Sequence, residues 1–326
     1  MGLKYVYALI SGEQDYYVEQ TLISMYSLRR HNPDGHIVLV ADNETIASLR
    51  GNRARIKEYI DEYVAVTTPE EFTAAQKSRF IKTSLRQNVN GDFLYLDNDT
   101  IVTDSLDELN GNDNELGAVL DLHAPLQISK LGALGGGEKG QVDSYLRATG
   151  KPFWNSDLYY NSGILLVRDT KATHKFFEDW HRIYLDDLRK FNLKLDQPSF
   201  AQANVLNNNL ITDIDGAYNC QILFPGAAPY FLTPKIIHYF ASSEGAFPLN
   251  KKICLEQIRN EGINLNIQKI IENPQITFLE TSHIIGEDEY EIYRMPMAML
   301  GRKLARDFGF SNRIARFIYR MMGYRI

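Results

Sequence analysis

The stretch FLYLDNDTIV, Phe93 to Val102, places Asp97 and Asp99 two residues apart at the end of an apolar run. A carboxylate withdrawn from water without a partner is strongly unfavourable, so such a pair either turns into solvent or meets a cation. Two carboxylates at i and i+2, on chain leaving a strand, can both reach one hard divalent ion. Mg2+ and Mn2+ prefer such oxygen ligands and keep positions open for phosphate. His238 stands inside KIIHYF, Lys235 to Phe240, a second apolar run that would strand an imidazole without a partner. An Asp, Asp, His set suits Mn2+, because imidazole is softer than the oxygens Mg2+ favours. The plainer readings are a solvated acidic turn and a satisfied core histidine; the buried strand directly before Asp97 weighs against the first.

Further polar positions surround this set. Arg79 lies on the helix that feeds the strand and can turn back towards a phosphate or stay a surface charge. Asn161-Ser162-Gly163 falls at the centre of a strand expected over Tyr159 to Val167, where a polar triad costs stability unless it hydrogen-bonds something. Asp196 and Gln197 open a helix with Pro198 in its first turn, a place where Asp196 serves equally well as an N-cap.

The elements that must position these residues follow an α/β rhythm. YVYALI (Tyr5 to Ile10) and HIVLVAD (His36 to Asp42) are continuous apolar runs, the mark of strands buried on both faces. Val18 to Arg30 between them has apolar residues at helical spacing, so the three make a βαβ unit and a parallel sheet follows. Helices are predicted around Glu44 to Glu58 and Pro69 to Gln87, with a short strand near Tyr63 to Val66 between them and the strand Phe93 to Leu96 after them. A further apolar-then-polar strand spans Glu115 to His123, and an amphipathic helix Lys171 to Lys190. Ligands of open α/β sheets gather at the carboxyl ends of strands, where Asp97 and Asp99 lie. LGALGGGEKG, Leu131 to Gly140, holds five glycines and reads as a flexible loop, either a lid or an ordinary surface loop.

The 326 residues, 44% hydrophobic and 23% charged, suit a soluble globular protein with a sizeable core. Cys220 and Cys254 offer neither metal spacing nor a disulfide framework, which points to a reducing cytoplasm. The first residues lack a secretory pattern, and no apolar stretch approaches the roughly 20 residues that span a bilayer. Arg294, Arg302, Lys303, Arg306, Arg313, Arg316, Arg320 and Arg325 stand against Asp307 alone, so residues 292–326 carry +7 and the rest of this −6 chain carries −13. That acidic body argues against a nucleic-acid partner. From Met297 to Tyr324, Ile314, Phe317, Ile318 and Met321 share one helical face and Arg313, Arg316 and Arg320 another. The pattern suits a helix in the headgroup region of an anionic bilayer, or one packed on the acidic body.

Taken in order, FLYLDNDTIV, YYNSGILLVRD, LDQPSF and IIHYF resemble glycosyltransferase family 8, which includes glycogenin and the bacterial lipopolysaccharide galactosyl- and glucosyltransferases. The resemblance runs from Tyr5 to about Pro248. It implies an α/β fold of the GT-A type over residues 1–255, a helical extension with a basic tail over 256–326, and transfer of a hexose, glucose or galactose, from a UDP-sugar with retention of anomeric configuration. By the same resemblance Asp97, Asp99 and His238 match the Mn2+ (or Mg2+) ligands, while Arg79, Asp121, Asn161, Asp196 and Gln197 match positions around the donor sugar, with Asp121, Asp196 and Gln197 as the catalytic set. Tyr5 to Ser11 matches the segment holding uracil and ribose, so Ala8 and Ser11, with Asn98 and Ser162, are substrate-binding positions. The acceptor it implies is a glycan or lipid-linked glycan, reached from the inner face of the membrane through the tail.

This chain departs from the family pattern after His238, where Ala241 and Ala246-Phe247-Pro248 replace the expected glycine and lysine; Lys251 or Lys252 are the candidates to replace that cation. Two rival functions remain at this stage: a nucleotide-sugar-binding protein without catalysis, and a nucleotidyltransferase. The second would need a glycine-rich basic loop after the first strand to cradle a triphosphate, and Ile10-Ser11-Gly12-Glu13 is not one.

Overall fold

A computed structural model of the chain describes residues 2–124, 138–151, 158–240 and 247–274, together with 295, 296 and 321. In chain order, β1 (Lys4–Leu9) leads into α1 (Tyr17–His31), β2 (His36–Ala41), α2 (Asn43–Ser48), β3 (Glu62–Ala65), α3 (Ala74–Thr83), α4 (Leu85–Asn88) and β4 (Phe93–Leu96). Then come β5 (Thr100–Val102), β6 (Leu116–Ala118), α5 (Glu138–Thr149), β7 (Ile164–Val167), α6 (Lys171–Phe191) and α7 (Gln197–Leu206). β8 (Ile211–Asp213), β9 (Cys220–Gln221), β10 (Ile236–His238), α8 (Lys252–Glu261) and α9 (Leu265–Glu272) follow.

Seven strands form one sheet in the order β3-β2-β1-β4-β7-β6-β8. Every pairing is parallel except the two that β7 makes, so the parallel sheet expected from the βαβ pattern is a mostly parallel one. Period-2 alternation explains the continuous apolar runs. Tyr5, Tyr7, Leu9, Leu94 and Leu96 face α1 and α8, while Val6, Ala8, Phe93 and Tyr95 face Ile81 of α3 and Phe177 and Trp180 of α6. A crevice opens where the chain order changes direction between β1 and β4.

A second sheet, β5-β10-β9, was not foreshadowed by the strand-helix alternation. β10 pairs antiparallel with β5, setting His238 opposite Thr100. Hence the turn between β4 and β5 belongs to both sheets, and His238 arrives beside it from more than a hundred residues away.

Several sequence expectations shift. The helix predicted over Glu44 to Glu58 is α2 followed by a 3-10 segment from Gly51, which adopts φ +58°, a conformation glycine takes without strain. The helix predicted from Pro69 starts at Ala74, because Thr73 and Gln76 build a capping box there. The Asn161-Ser162-Gly163 triad precedes β7 rather than interrupting it. Its backbone is satisfied by an antiparallel approach to residues 119–121, with Asn161 N–H donating to Val119 O at 2.9 Å and Asp121 N–H donating to Tyr159 O at 2.8 Å. Of the glycine-rich segment, residues 131–137 lie outside the described residues, and 138–140 belong to α5 rather than to a loop. The tail pattern from Met297 to Tyr324 likewise lies outside them, Met321 excepted. The expected 255/256 boundary falls inside α8, whose Leu255 and Ile258 share an apolar cluster with Ile267 and Ile271 of α9 and with α1. No helix among the described residues is long and apolar enough to cross a membrane.

The turn from β4 to β5 is held by a buried relay of hydroxyls. Tyr7 OH lies 3.0 Å from Ser24 Oγ, Ser24 Oγ lies 2.7 Å from Thr100 Oγ1, and Thr100 donates to Asp97 O at 2.8 Å. Thr100→Val keeps the shape and removes the hydroxyl, leaving buried polar groups unpaired. The expected cost is about 1–3 kcal/mol, read as a lower urea midpoint; an unchanged midpoint would show that this relay does not hold the turn.

Candidate active site

Alternation along β4 decides where Asp97 points. Tyr95 and Asp97 fall on the same face, towards α3 and α7, and Tyr95 OH donates to Asp97 Oδ1 at 2.5 Å. On that face Lys82, nearly buried on α3, sits between two acids. Its Nζ is 3.2 Å from Asp97 Oδ1 and 3.5 Å from Asp196 Oδ2. Arg79, one helical turn earlier, approaches Asp196 Oδ1 with its Nε at 3.7 Å. Sequence reasoning singled out Arg79 and missed Lys82. The i, i+3 spacing of two cations on a helix leading into an acidic strand end was the available signal. Lys251 and Lys252 are exposed, and Lys252 turns to Glu256 at 3.7 Å.

Asp99 lies beyond the strand end and meets the second sheet. Tyr239 N–H donates to Asp99 O at 3.1 Å, and His238 Nε2 lies 3.3 Å from Asp99 Oδ1. One ligand atom from each of Asp97, Asp99 and His238 falls within 4.8 Å of the other two. Two carboxylate oxygens and one imidazole nitrogen at that spacing fit a divalent cation of the Mn2+ class. The imidazole is 3% exposed and stacks on Phe240 with centroids 4.1 Å apart.

Gly163 permits this convergence. A Cβ there would come within 2.6 Å of His238 Cε1 and 2.8 Å of both Asn161 Oδ1 and Asp97 Oδ2. Its backbone also fixes the turn, since Asp97 N–H donates to Gly163 O at 2.8 Å.

The remaining candidate residues divide. Asp121 accepts from Asn161 Nδ2 at 2.8 Å and from Gln197 Nε2 at 2.5 Å, so three of the residues matched to the donor sugar form one group, buried at Asp121 and Asn161 and half-buried at Gln197. Ser162 Oγ donates to Asp196 Oδ2 at 3.3 Å, which joins it to the lysine-bridged acids. Asp196 precedes α7 in the N-cap position, yet its side chain makes no cap hydrogen bond and faces Lys82, Arg79 and Ser162 instead. Asn98 reaches across the crevice, its Nδ2 donating to Ala8 O at 3.2 Å. Ser11 belongs to a different group: its hydroxyl donates to Asp15 Oδ1 and accepts from Arg53 Nη2, each at 2.5 Å. Besides Lys82, sequence reasoning missed Tyr95 and Asn219; the latter carried no signal, standing in a stretch with no recognisable period.

The charges settle unequally. Burial pushes the Asp97 carboxyl up, Lys82 pulls it down, and the balance, with Asp99 repelling, leaves it above the ordinary carboxylate value. Burial acts on Asp196 too, but Lys82 and Arg79 outweigh it and hold that carboxyl below its ordinary value. Burial lowers His238, and Asp99 and Asp97 more than restore it, so the ring stands above the usual histidine value. Burial likewise lowers Lys82, and its two aspartates raise it beyond the ordinary lysine value.

No protein-family model and no curated protein matches the chain. Solved structures do. The galactosyltransferase LgtC, solved in complex with donor and acceptor sugar analogues, superposes with a TM-score of 0.50 at 16% identity over 89% of this chain and 99% of that one. The bifunctional glycosyltransferase WbbM superposes with a TM-score of 0.51 at 18% identity over 82% of this chain and 51% of that one. The chain has a GT-A fold. The β4–β5 turn is where the two sheets meet, and the Asp97, Asp99, His238 cluster stands there. Fold alone does not assign the reaction.

A raised Asp97 carboxyl means that folding at neutral pH keeps an anion the site does not fully compensate. That penalty is absent below the ordinary carboxylate pKa and grows as pH rises through the raised value. At one fixed concentration, a divalent cation is therefore expected to raise the melting temperature more at pH 7.5 than at pH 5, because protonation of Asp97 competes with binding; at a hundredfold excess over its Kd the stabilisation is about 2.7 kcal/mol, and equal shifts at both pH values would refute the coupling. Lys82→Met strands Asp97 and Asp196 together and is expected to cost about 3–5 kcal/mol. Both carboxyls then rise in the folded state, so the loss in urea midpoint should be larger at pH 8 than at pH 5.

Proposed function

We propose that this protein is a member of glycosyltransferase family 8: a Mn2+-dependent retaining transferase that moves glucose or galactose from a UDP-sugar to a glycan or lipid-linked acceptor. The observation that carries the reading is the meeting of Asp97, Asp99 and His238 at the mouth of the β1/β4 crevice, beside the lysine-bridged Asp196 and the Asp121 group. A GT-A fold and the ordered family motifs support it.

In this reading Asp97, Asp99 and His238 would hold Mn2+, and the bound ion would supply positive charge to offset the charge that develops on the leaving UDP, a contribution of several kcal/mol. Asn98 and the Ala8 segment line the nucleotide side. Asp121, oriented by Asn161 and Gln197, grips hydroxyls of the donor sugar. Asp196 stays ionised because Lys82 and Arg79 surround it, and an ionised carboxylate near the anomeric carbon steadies an oxocarbenium-like centre. Gln197 is an amide and a poor nucleophile, and Asp196 is occupied by two cations and Ser162. Attack by the acceptor on the face the diphosphate leaves, with the leaving phosphate taking the acceptor's proton, needs no protein base. The basic tail, by its sequence pattern, would bring the enzyme to an anionic membrane surface carrying the acceptor.

Asp99→Asn is expected to abolish Mn2+-dependent UDP binding, measured by calorimetry, while circular dichroism stays unchanged. UDP affinity that survives the substitution intact counts against the site. A screen of UDP-sugars for Mn2+-dependent hydrolysis then names the donor, and a chain truncated after Tyr293 should lose binding to vesicles containing anionic lipid.

A further inference from the structure

A buried line of amides joins the two halves of the site. His238 Nδ1 lies 3.0 Å from Asn219 Oδ1, and Asn219 Nδ2 donates to Asn161 Oδ1 at 2.9 Å. Asn161 Nδ2 donates to Asp121 Oδ1 at 2.8 Å, and Gln197 Nε2 donates to Asp121 Oδ2 at 2.5 Å. Asn219 is fully buried, and His238, Asn161 and Asp121 are 3–5% exposed, so water does not compete for the bonds from His238 through Asn219 and Asn161 to Asp121.

The direction of each bond follows from what its ends can do. An ionised Asp121 only accepts, so Asn161 must present its NH2 to it and its carbonyl the other way. The Gly163 N–H, which only donates, meets that same Asn161 carbonyl at 2.9 Å and fixes the orientation independently. Asn219 must then present its NH2 to Asn161, which leaves only its carbonyl for the histidine. A carbonyl accepts, so His238 Nδ1 must carry a proton. Meanwhile the Phe240 stack and the close approach of Gly163 to Cε1 restrict the ring to this pose.

We propose that Asn219 is a positioning residue: its carbonyl holds the neutral His238 ring as the Nδ1–H tautomer and leaves the Nε2 lone pair directed at the Asp97/Asp99 corner. A histidine metal ligand depends on such a partner for tautomer and orientation. Asn161 sets the polarity of Asn219, so the group that orients Asp121 on the sugar side also orients the metal-side histidine. The inference rests on the reading of Asp97, Asp99 and His238 as a divalent-cation site.

Two measurements test it. The first is the side-chain 15N spectrum of His238 in the metal-free wild-type protein, at a pH high enough for the ring to be neutral. A protonated Nδ1 and an unprotonated Nε2 are expected; the opposite tautomer overturns the proposal whether or not any variant folds. The second is Mn2+ affinity, titrated with the ion alone and read by electron paramagnetic resonance. Asn219→Ala is expected to weaken Mn2+ binding roughly 10- to 100-fold and to mix the tautomers. Asn219→Asp, which keeps an acceptor for Nδ1–H, is expected to rescue the tautomer and to bind more tightly than the alanine variant. A purely structural role would lower the urea midpoint of both variants without moving the 15N signature. If wild type binds Mn2+ and Asn219→Ala binds equally well, the positioning role is wrong. If wild type itself binds none while His238 shows the expected tautomer, the cation reading of the site fails instead.

Discussion

Everything at this site depends on how a partly buried corner tolerates Asp97, whose side chain keeps 26% of its surface exposed. The acid is forced inward by the alternation of β4, which spends Phe93 and Tyr95 on one buried face and delivers Asp97 to the same side. Charge in such a place must be matched. Lys82 supplies one positive charge for two carboxylates, and the structure divides it unevenly: Asp196, with Arg79 also near, is held ionised, while Asp97, with Asp99 near, is left short. A carboxylate left short of positive charge in this way is the kind of group a divalent cation would stabilise. An acidic pair fully matched by side chains would have no use for an ion.

The second sheet brings an imidazole, His238, to the acidic pair. Because β5 continues directly from the Asp97–Asp99 turn, the partner of β5 arrives in register with that turn, and antiparallel pairing puts His238 opposite Thr100. Distance along the chain is irrelevant once that register is set. Gly163 completes the arrangement from the other side, by leaving empty the volume that any side chain would take from Asp97 and His238.

The polar triad before β7 shows how a destabilising composition becomes functional. Asn161, Ser162 and Gly163 each spend their polar groups on a different neighbour: Asp121 and Asn219, Asp196, and the backbone of Asp97. One short stretch thereby ties Asp121 and Asp196 to the β4–β5 turn, a coupling that requires every member to be satisfied at once.

The sequence by itself determined the βαβ start, the strand before Asp97, the placement of the acids at a strand's carboxyl end and the strand character around His238, because continuous apolar runs and acidic breaks are local patterns. Its resemblance to a known family also marked Asp121, Asn161, Asp196 and Gln197, the last three of them within the ordered motifs. Only the tertiary structure decided that β7 runs against its neighbours, that a second sheet exists, that Lys82 stands between Asp97 and Asp196, that Ser11 bonds Asp15 and Arg53, and that Asn219 stands behind His238. Each of those turns on which side chains from distant segments share a buried volume, and charge compensation and hydrogen-bond direction in that volume have no period along the chain.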